Sequence, residues 1–392
     1  MKDPLRSSPL VEELRTSSDL RVGSTTVAIA GQFGFCSGVR RALRTVDKRN
    51  LRAKPGIRCL LLHEIIHNPT VCMWLEEQGF VLVEPHDEGW WKKLRTTDTV
   101  IVSAFGATVE QEKRLEEAGV RIVETTCPSV RQVWKRVSSY AVHGFTTVLH
   151  GKKDHPETEA TLSHAVSQGG HFVVIRDLNE ADRLARIIEG KSSTADRSWI
   201  ASVSDISFEY PRDIQRIGLA NQTTMVATES LQVEEMLKNA MVNRFGADHV
   251  RENFRAFGTI CRATQQRQDA ARELAKTQPD LMIVVGGHNS SNTRHLAEVS
   301  TEWAPVLHIE GPEAIQSLDD IIHLPVGRET TEHISLTWLE KKSDRRLGFT
   351  GGASTPDAEL GGTIATLLMM VEPVLPEIVM NELLLSGRNP AT

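Results

Sequence analysis

The sequence predicts an α/β protein with mostly parallel sheets. Two observations carry this. Short β-rich runs recur at Thr26–Ala30, Val100–Val102, Val120–Val123, Thr147–Leu149, Phe172–Ile175, Leu281–Val285 and Leu347–Phe349. Most are followed by a small-residue loop and then a polar–apolar stretch with helical spacing, an alternation that builds βα units and parallel sheets. A third observation places function on this frame. Loops rich in Gly or Ser stand at 31–38, 286–292 and 350–356, behind predicted strands, where α/β proteins hold their ligands.

The chain has 392 residues, of which 40% are hydrophobic, enough for more than one core. The expected division is a flexible tail over 1–24 and α/β units over 25–126, 127–258 and 259–360. A C-terminal helix and tail follow over 361–392, and residues 191–213 read as an inserted loop. The apolar stretch from Leu367 to Val379 is broken by Glu372, Pro373, Pro376 and Glu377, so it falls short of the roughly 18–20 residues of a membrane helix. The first 24 residues lack the apolar core of a secretory signal and carry too many acids for a transit peptide. A cytoplasmic protein without a membrane partner is the expectation, and the missing transit peptide favours a bacterial source. A net charge of −6, with no basic cluster interleaved with aromatics, gives no reason to expect a nucleic-acid partner.

There are five cysteines, and no two form a C-x-x-C pair, so neither a disulfide framework nor the usual structural zinc pattern is indicated. Three share a setting. Cys36-Ser-Gly-Val-Arg, Cys127-Pro-Ser-Val-Arg and Cys261-Arg-Ala-Thr-Gln each follow a strand or turn and open a helical pattern. A helix N-terminus stabilises a thiolate, and three thiolates suit one soft metal centre, an iron–sulfur cluster or zinc. On a cubane cluster, three cysteines leave one iron open, as a catalytic site requires. Cys59 and Cys72 lack this setting and read as structural. A single buried cysteine is more often structural than not, and a cysteine hydrolase with Cys127 as nucleophile and His155 as base is an alternative reading. A non-catalytic iron–sulfur or zinc sensor is another.

Three further segments place hydroxyls and amides before helices, as an anion site needs: Asn289-Ser290-Ser291-Asn292, Thr350–Asp357 and Asn221-Gln222-Thr223-Thr224. Each is, by itself, equally a helix cap. His67-Asn68-Pro69 and His155-Pro156-Glu157 add donors for phosphate oxygens and an acid able to move a proton if buried.

Taken together, these segments resemble the LytB/IspH family of hydroxymethylbutenyl diphosphate reductases, from about Val27 to Asp357. The resemblance is carried by Gly34-Phe35-Cys36-Ser37-Gly38-Val39, His67-Asn68-Pro69, Thr125-Thr126-Cys127-Pro128 and His155-Pro156-Glu157. It continues through Asn221–Thr224, Ile260-Cys261-Arg262-Ala263-Thr264, Asn289–Asn292 and Gly352–Asp357, all in family order. It implies a trefoil of three α/β units around one [4Fe–4S] cluster, held by Cys36, Cys127 and Cys261 with one iron open. It also implies diphosphate binding by His67, His155, Ser290, Ser291, Asn292 and Ser354, proton donation by Glu157, and orientation of the substrate hydroxyl by Thr223. Thr264 falls in the site loop.

The implied reaction is the reductive dehydroxylation of (E)-4-hydroxy-3-methylbut-2-enyl diphosphate to isopentenyl and dimethylallyl diphosphates, the last step of the methylerythritol phosphate route. Ferredoxin or flavodoxin is the implied electron donor. The chain departs from many bacterial members at Phe105, where they carry a histidine. That change, with Asn221–Met225 and the 191–213 insertion, looks like the plant and cyanobacterial branch.

Overall fold

The computed structural model describes residues 3–48 and 56–389. The chain folds into two compact units. The first gathers residues 1–40, 66–79 and 262–392, and the second residues 41–65 and 80–261.

The first unit is built on a five-stranded sheet. Its spatial order is Asp19–Val22, Thr25–Ile29, Arg345–Gly351, Leu281–Val285 and Val306–Ile309. The outer pair at the N-terminal side is antiparallel, and every other pair is parallel. The inner strand Leu281–Val285 is buried along its whole length, which is why its sequence is unbroken Leu-Met-Ile-Val-Val rather than alternating. One core spreads over the sheet from Val27, Ile29, Ile283, Val285, Leu347 and Phe349 to the helix Asp357–Val371. That helix is buried at Leu360, Ile364, Leu367 and Leu368, and a second helix, Glu377–Ser386, follows it.

The N-terminal segment, expected as a flexible tail, belongs to this core. Ser8 caps the helix Pro9–Ser17 by accepting from the Val11 N–H, and Pro9 sits in the first turn, where a proline costs nothing. Leu10, Val11 and Leu14 are completely buried on its inner face. The strand Asp19–Val22 then joins the sheet edge.

The second unit holds two four-stranded parallel sheets. One runs Phe80–Val83, Cys59–Leu62, Thr99–Val102, Arg121–Glu124. The other runs Phe254–Ala256, Ile217–Asn221, Thr146–His150, Phe172–Ile175. Each has its own core, around Leu60, Leu62, Val100 and Val102 in one and Val148, Ile175, Ile217 and Leu219 in the other. The expected loop at 191–213 contains the helix Thr194–Val203. Ser193 and Asp196 form a reciprocal capping box at its start, and Ile200 anchors it.

The α/β class with mostly parallel sheets is therefore present. Thr25–Ile29 pairs with Arg345–Gly351, so the segment carrying Cys36 completes a sheet made mainly by the last third of the chain.

Leu10→Ala tests the N-terminal segment as core. The substitution should lower the unfolding free energy by about 2–5 kcal/mol in chemical denaturation. A change no larger than that of a surface substitution would return the segment to the status of a tail.

Candidate active site

In the second unit, the strand Thr146–His150 leads through a short turn to His155, which caps the helix Pro156–Val166. The His155 Nδ1 accepts from the Glu157 N–H at 3.1 Å. An accepting Nδ1 puts the ring proton of the neutral imidazole on Nε2. Pro156 fits the first turn, and Glu157, one residue on, turns its side chain into the interior.

Glu157 is 2% exposed. Both carboxyl oxygens meet one residue. The Thr223 N–H donates to Oε1 at 2.6 Å, and the Thr223 hydroxyl pairs with Oε2 at 2.9 Å. Burial disfavours the charged form and pushes the carboxyl up to about 7, against the two Thr223 hydrogen bonds, which favour ionisation. Thr223 comes from the loop after Ile217–Asn221, and its carbonyl accepts the Cys261 N–H at 3.1 Å. The acid, its partner and one cysteine are thus linked through a single residue. The loop is further tied by Gln222, whose Oε1 accepts from the Lys152 N–H at 3.0 Å.

Cys127 stands in the same unit as the N-cap of the helix Pro128–Val142. Its N–H donates to the Ala104 carbonyl at 3.0 Å, and the Arg41 guanidinium donates to the carbonyls of Thr125 and Thr126 just before it. Phe105 packs edge-on against the His155 ring at 5.4 Å between centroids. The position that departs from the family histidine therefore supports His155 by packing.

In the first unit, Cys36 follows Thr25–Ile29 and precedes the helix Ser37–Lys48. Its N–H donates to the Ala353 carbonyl at 3.1 Å, and its Sγ accepts from the Val39 N–H at 3.4 Å. Arg267, buried, donates through Nε and Nη2 to the Gly34 carbonyl at 3.0 and 2.7 Å and fixes the loop from below. Thr264 lies buried on the same helix, Arg262–Lys276.

The expected diphosphate residues of this unit meet in one place. Ser290 caps the helix Ser291–Ser300. The Ser354 hydroxyl reaches the His67 carbonyl at 3.0 Å and the Ser290 hydroxyl at 3.3 Å. The Asn292 Oδ1 accepts from the Ala353 N–H at 2.8 Å, while its buried Nδ2 has no hydrogen-bond partner. A buried amide left unpaired between hydroxyls at a helix N-terminus is a donor awaiting an acceptor, as an anion site provides. Ser291 is buried beside it in the first turn. The loops approach too closely for side chains at two glycines. A Cβ at Gly287 would lie 2.7 Å from Asn289 Oδ1 and 3.1 Å from the His67 carbonyl, and one at Gly352 would lie 2.1 Å from Thr293 Oγ1.

His67, Ser290, Ser291, Asn292, Ser354 and Cys36 thus belong to one unit, and His155, Glu157, Thr223, Cys127 and Cys261 to the other. Sequence reasoning passed over Arg267 and Glu359. Glu359 is 7% exposed and accepts from the Asn68 Nδ2 at 3.0 Å. Its signal was available as an acid followed by an unbroken run of uncharged residues to the end of its helix.

A parallel α/β scaffold, an acid held near neutrality in one unit and a cradle of hydroxyls and an amide in the other are features of an enzyme. The chain belongs to the LytB protein family, whose family model matches residues 27–368. A relative from Synechococcus sp. (strain RCC307), named 4-hydroxy-3-methylbut-2-enyl diphosphate reductase, is 40% identical over 370 residues, covering 93% of this chain and 89% of that protein. One of the same name from Nostoc sp. (strain PCC 7120 / SAG 25.82 / UTEX 2576) is 38% identical, covering 89% and 86%.

Among solved structures, one of (E)-4-hydroxy-3-methyl-but-2-enyl diphosphate reductase, described as the terminal enzyme of the non-mevalonate pathway, is similar at a TM-score of 0.52 and 26% identity. It covers 87% of this chain and 98% of its own. The Plasmodium falciparum reductase structure is similar in fold, at a TM-score of 0.64 and 22% identity over 87% of each chain. The LytB family is iron–sulfur dependent. No helix among the described residues is long and apolar enough to cross a membrane.

The raised Glu157 carboxyl has a measurable thermodynamic consequence. Its folded-state value lies above the unfolded one, so the unfolded chain releases the proton first and stability falls as pH rises from about 4.5 to 7. Glu157→Gln removes this loss. Its melting temperature, relative to the parent protein, should rise across that window in calorimetry. A parallel pair of pH–stability curves would mean that Glu157 is ionised throughout.

Proposed function

We propose that this chain is a 4-hydroxy-3-methylbut-2-enyl diphosphate reductase, converting (E)-4-hydroxy-3-methylbut-2-enyl diphosphate to isopentenyl and dimethylallyl diphosphates. The observation that carries the mechanism is Glu157, buried, doubly held by Thr223 and poised near neutral pH. Family membership supports the reaction and sets aside the cysteine-hydrolase reading.

The chemical obstacle is a poor leaving group, because hydroxide departs slowly unless its oxygen is protonated. A carboxylic acid titrating near 7 is a proton donor matched to neutral conditions. In its protonated form the Glu157 O–H can donate to the Thr223 oxygen, which frees the Thr223 O–H to donate onward to the substrate hydroxyl. Thr223 thereby orients both partners of the transfer. The Thr223 backbone N–H stabilises the carboxylate left behind.

The diphosphate must be held while the hydroxyl leaves, since it is itself a good allylic leaving group. Ser290, Ser291, Asn292 and Ser354, with His67, supply the donors in the first unit, and His155 adds one in the second. Fixed donors of this kind cost no reorganisation during reaction. His155 suits the role because its Nδ1 is engaged by the backbone and its Nε2–H is the donor.

Cys36, Cys127 and Cys261 are the proposed ligands of one [4Fe–4S] cluster with one iron left open. The fit rests on their donor chemistry. All three are half-buried thiols, each placed immediately before a helix, and the Cys36 sulfur already accepts a backbone N–H. When bound, such a cluster supplies a Lewis acid for the hydroxyl oxygen and the reducing electrons. The electrons would come from a ferredoxin or flavodoxin.

Two substitutions test the assignment. Glu157→Gln should lower substrate-dependent oxidation of a reduced viologen dye by at least about a hundredfold, with the visible spectrum of the cluster unchanged. Near-normal turnover would take Glu157 out of the proton path. Cys127→Ser should lower the iron and sulfide bound after anaerobic reconstitution, and full content would remove Cys127 from the ligand set.

A further inference from the structure

Glu359 lies in the helix Asp357–Val371, just beyond the loop that carries Ser354. That loop and helix grip one turn of chain at two points. The Ser354 hydroxyl holds the His67 carbonyl, and the Glu359 Oε2 receives the Asn68 Nδ2 at 3.0 Å. The orientation of the Asn68 amide is fixed, because its Oδ1 accepts from the Val71 N–H at 2.9 Å as the cap of the helix Pro69–Glu77. Its Nδ2 must therefore find an acceptor, and Asn68 is only 1% exposed, so water cannot serve.

The other oxygen of Glu359, Oε1, is buried without a partner. Glu359 lines a cavity of about 560 Å³. His288, Glu310 and Glu313 line the same cavity, with Asp3 and Arg6 from the N-terminal segment. Of the neighbouring charges, Arg6 is paired with Glu382, and Asp357, on the same helix as Glu359, is paired with Arg15.

We propose that Glu359 is a positioning residue for diphosphate binding, holding the His67–Asn68 turn through the Asn68 amide. It deepens the function proposed above and rests on that reading. The chemistry calls for an acceptor that carries no charge. A carboxylate here would set a negative charge against Asn68, the residue after His67, whose carbonyl holds the Ser354 hydroxyl proposed to bind the diphosphate. Burial prevents this, with Glu313 and Glu310 adding to it, and pushes the Glu359 carboxyl up to about 8 against the hydrogen bonds of Thr70 and Asn68, which favour the charged form. Its neutral form offers a carbonyl oxygen to Asn68 and repels nothing. The ionised form, reached above that pH, keeps the hydrogen bond and opposes the ligand.

The test is calorimetric binding of isopentenyl diphosphate to the reconstituted full-length protein between pH 7 and 9.5, for the parent protein, Glu359→Gln and Glu359→Ala. The parent should lose affinity about three- to tenfold over this range as Glu359 ionises. Glu359→Gln keeps an uncharged acceptor and should lose little. Glu359→Ala should bind more weakly at every pH, because the Asn68 amide is orphaned. Melting curves check that each variant is folded. They also report the charge itself, since Glu359→Gln should be the more stable protein at pH 9 and gain nothing at pH 4. The same pH slope in the parent and Glu359→Gln, or parental affinity in Glu359→Ala, would overturn the proposal. A parent protein that does not bind isopentenyl diphosphate at pH 7 would instead remove the reductase reading, and this proposal with it.

Discussion

The grip of Thr223 on Glu157 is the constraint around which the second unit is arranged. A carboxyl group that is almost fully buried costs several kcal/mol when charged, so it must either stay protonated or be met by donors. Here both happen in part. The backbone N–H and the hydroxyl of Thr223 reach the two oxygens, and burial holds the group near neutrality. The geometry demands that the loop after Ile217–Asn221 sit within hydrogen-bond distance of the first turn of Pro156–Val166. That placement is secured by the parallel pairing of Ile217–Asn221 with Thr146–His150 and by Gln222. Because the Thr223 carbonyl also takes the Cys261 N–H, any shift of this loop moves the acid and the thiol together.

The first unit uses the same physics for another purpose. Glu359 is likewise a buried acid in the uncharged form, but it meets a side-chain amide and serves to fix a turn. Arg267 works in the opposite sense, spending buried guanidinium donors on the Gly34 carbonyl so that the loop before Cys36 keeps its shape. Both residues lie behind the groups proposed to touch ligand. They explain how loops made of glycine, serine and asparagine can present fixed donors.

Much of this was legible in the sequence. Phe172–Ile175 and Leu281–Val285 appear with the expected bounds, because β-branched runs between turn residues have few other uses. Cys59–Leu62 and Phe80–Val83 were not expected as strands. Four buried apolar residues, as in Cys-Leu-Leu-Leu, look the same at a strand and in the core turn of a helix. The N-terminal helix was hidden because three buried residues, Leu10, Val11 and Leu14, are diluted by polar neighbours on its outer face. In the site, the cap position of Ser290 was readable locally. The meeting of Thr223 with Glu157, 66 residues apart, was not, and only the family resemblance carried it. Glu359 and Asn68 are separated by 291 residues, and no motif joins them.

The sheet of the first unit also imposes an order on synthesis. Thr25–Ile29 leaves the ribosome long before its partner Arg345–Gly351. The strands of the two parallel sheets of the second unit all lie between Cys59 and Ala256, so each sheet can close while translation continues. The strand Thr25–Ile29, with the Cys36 loop behind it, has only its neighbour Asp19–Val22 to pair with until Arg345–Gly351 is made, and Cys36 gains its Ala353 anchor only then. Over that interval a nascent chain carries an apolar strand open along one edge and a thiol loop without its anchor, and shielding both falls to the cell.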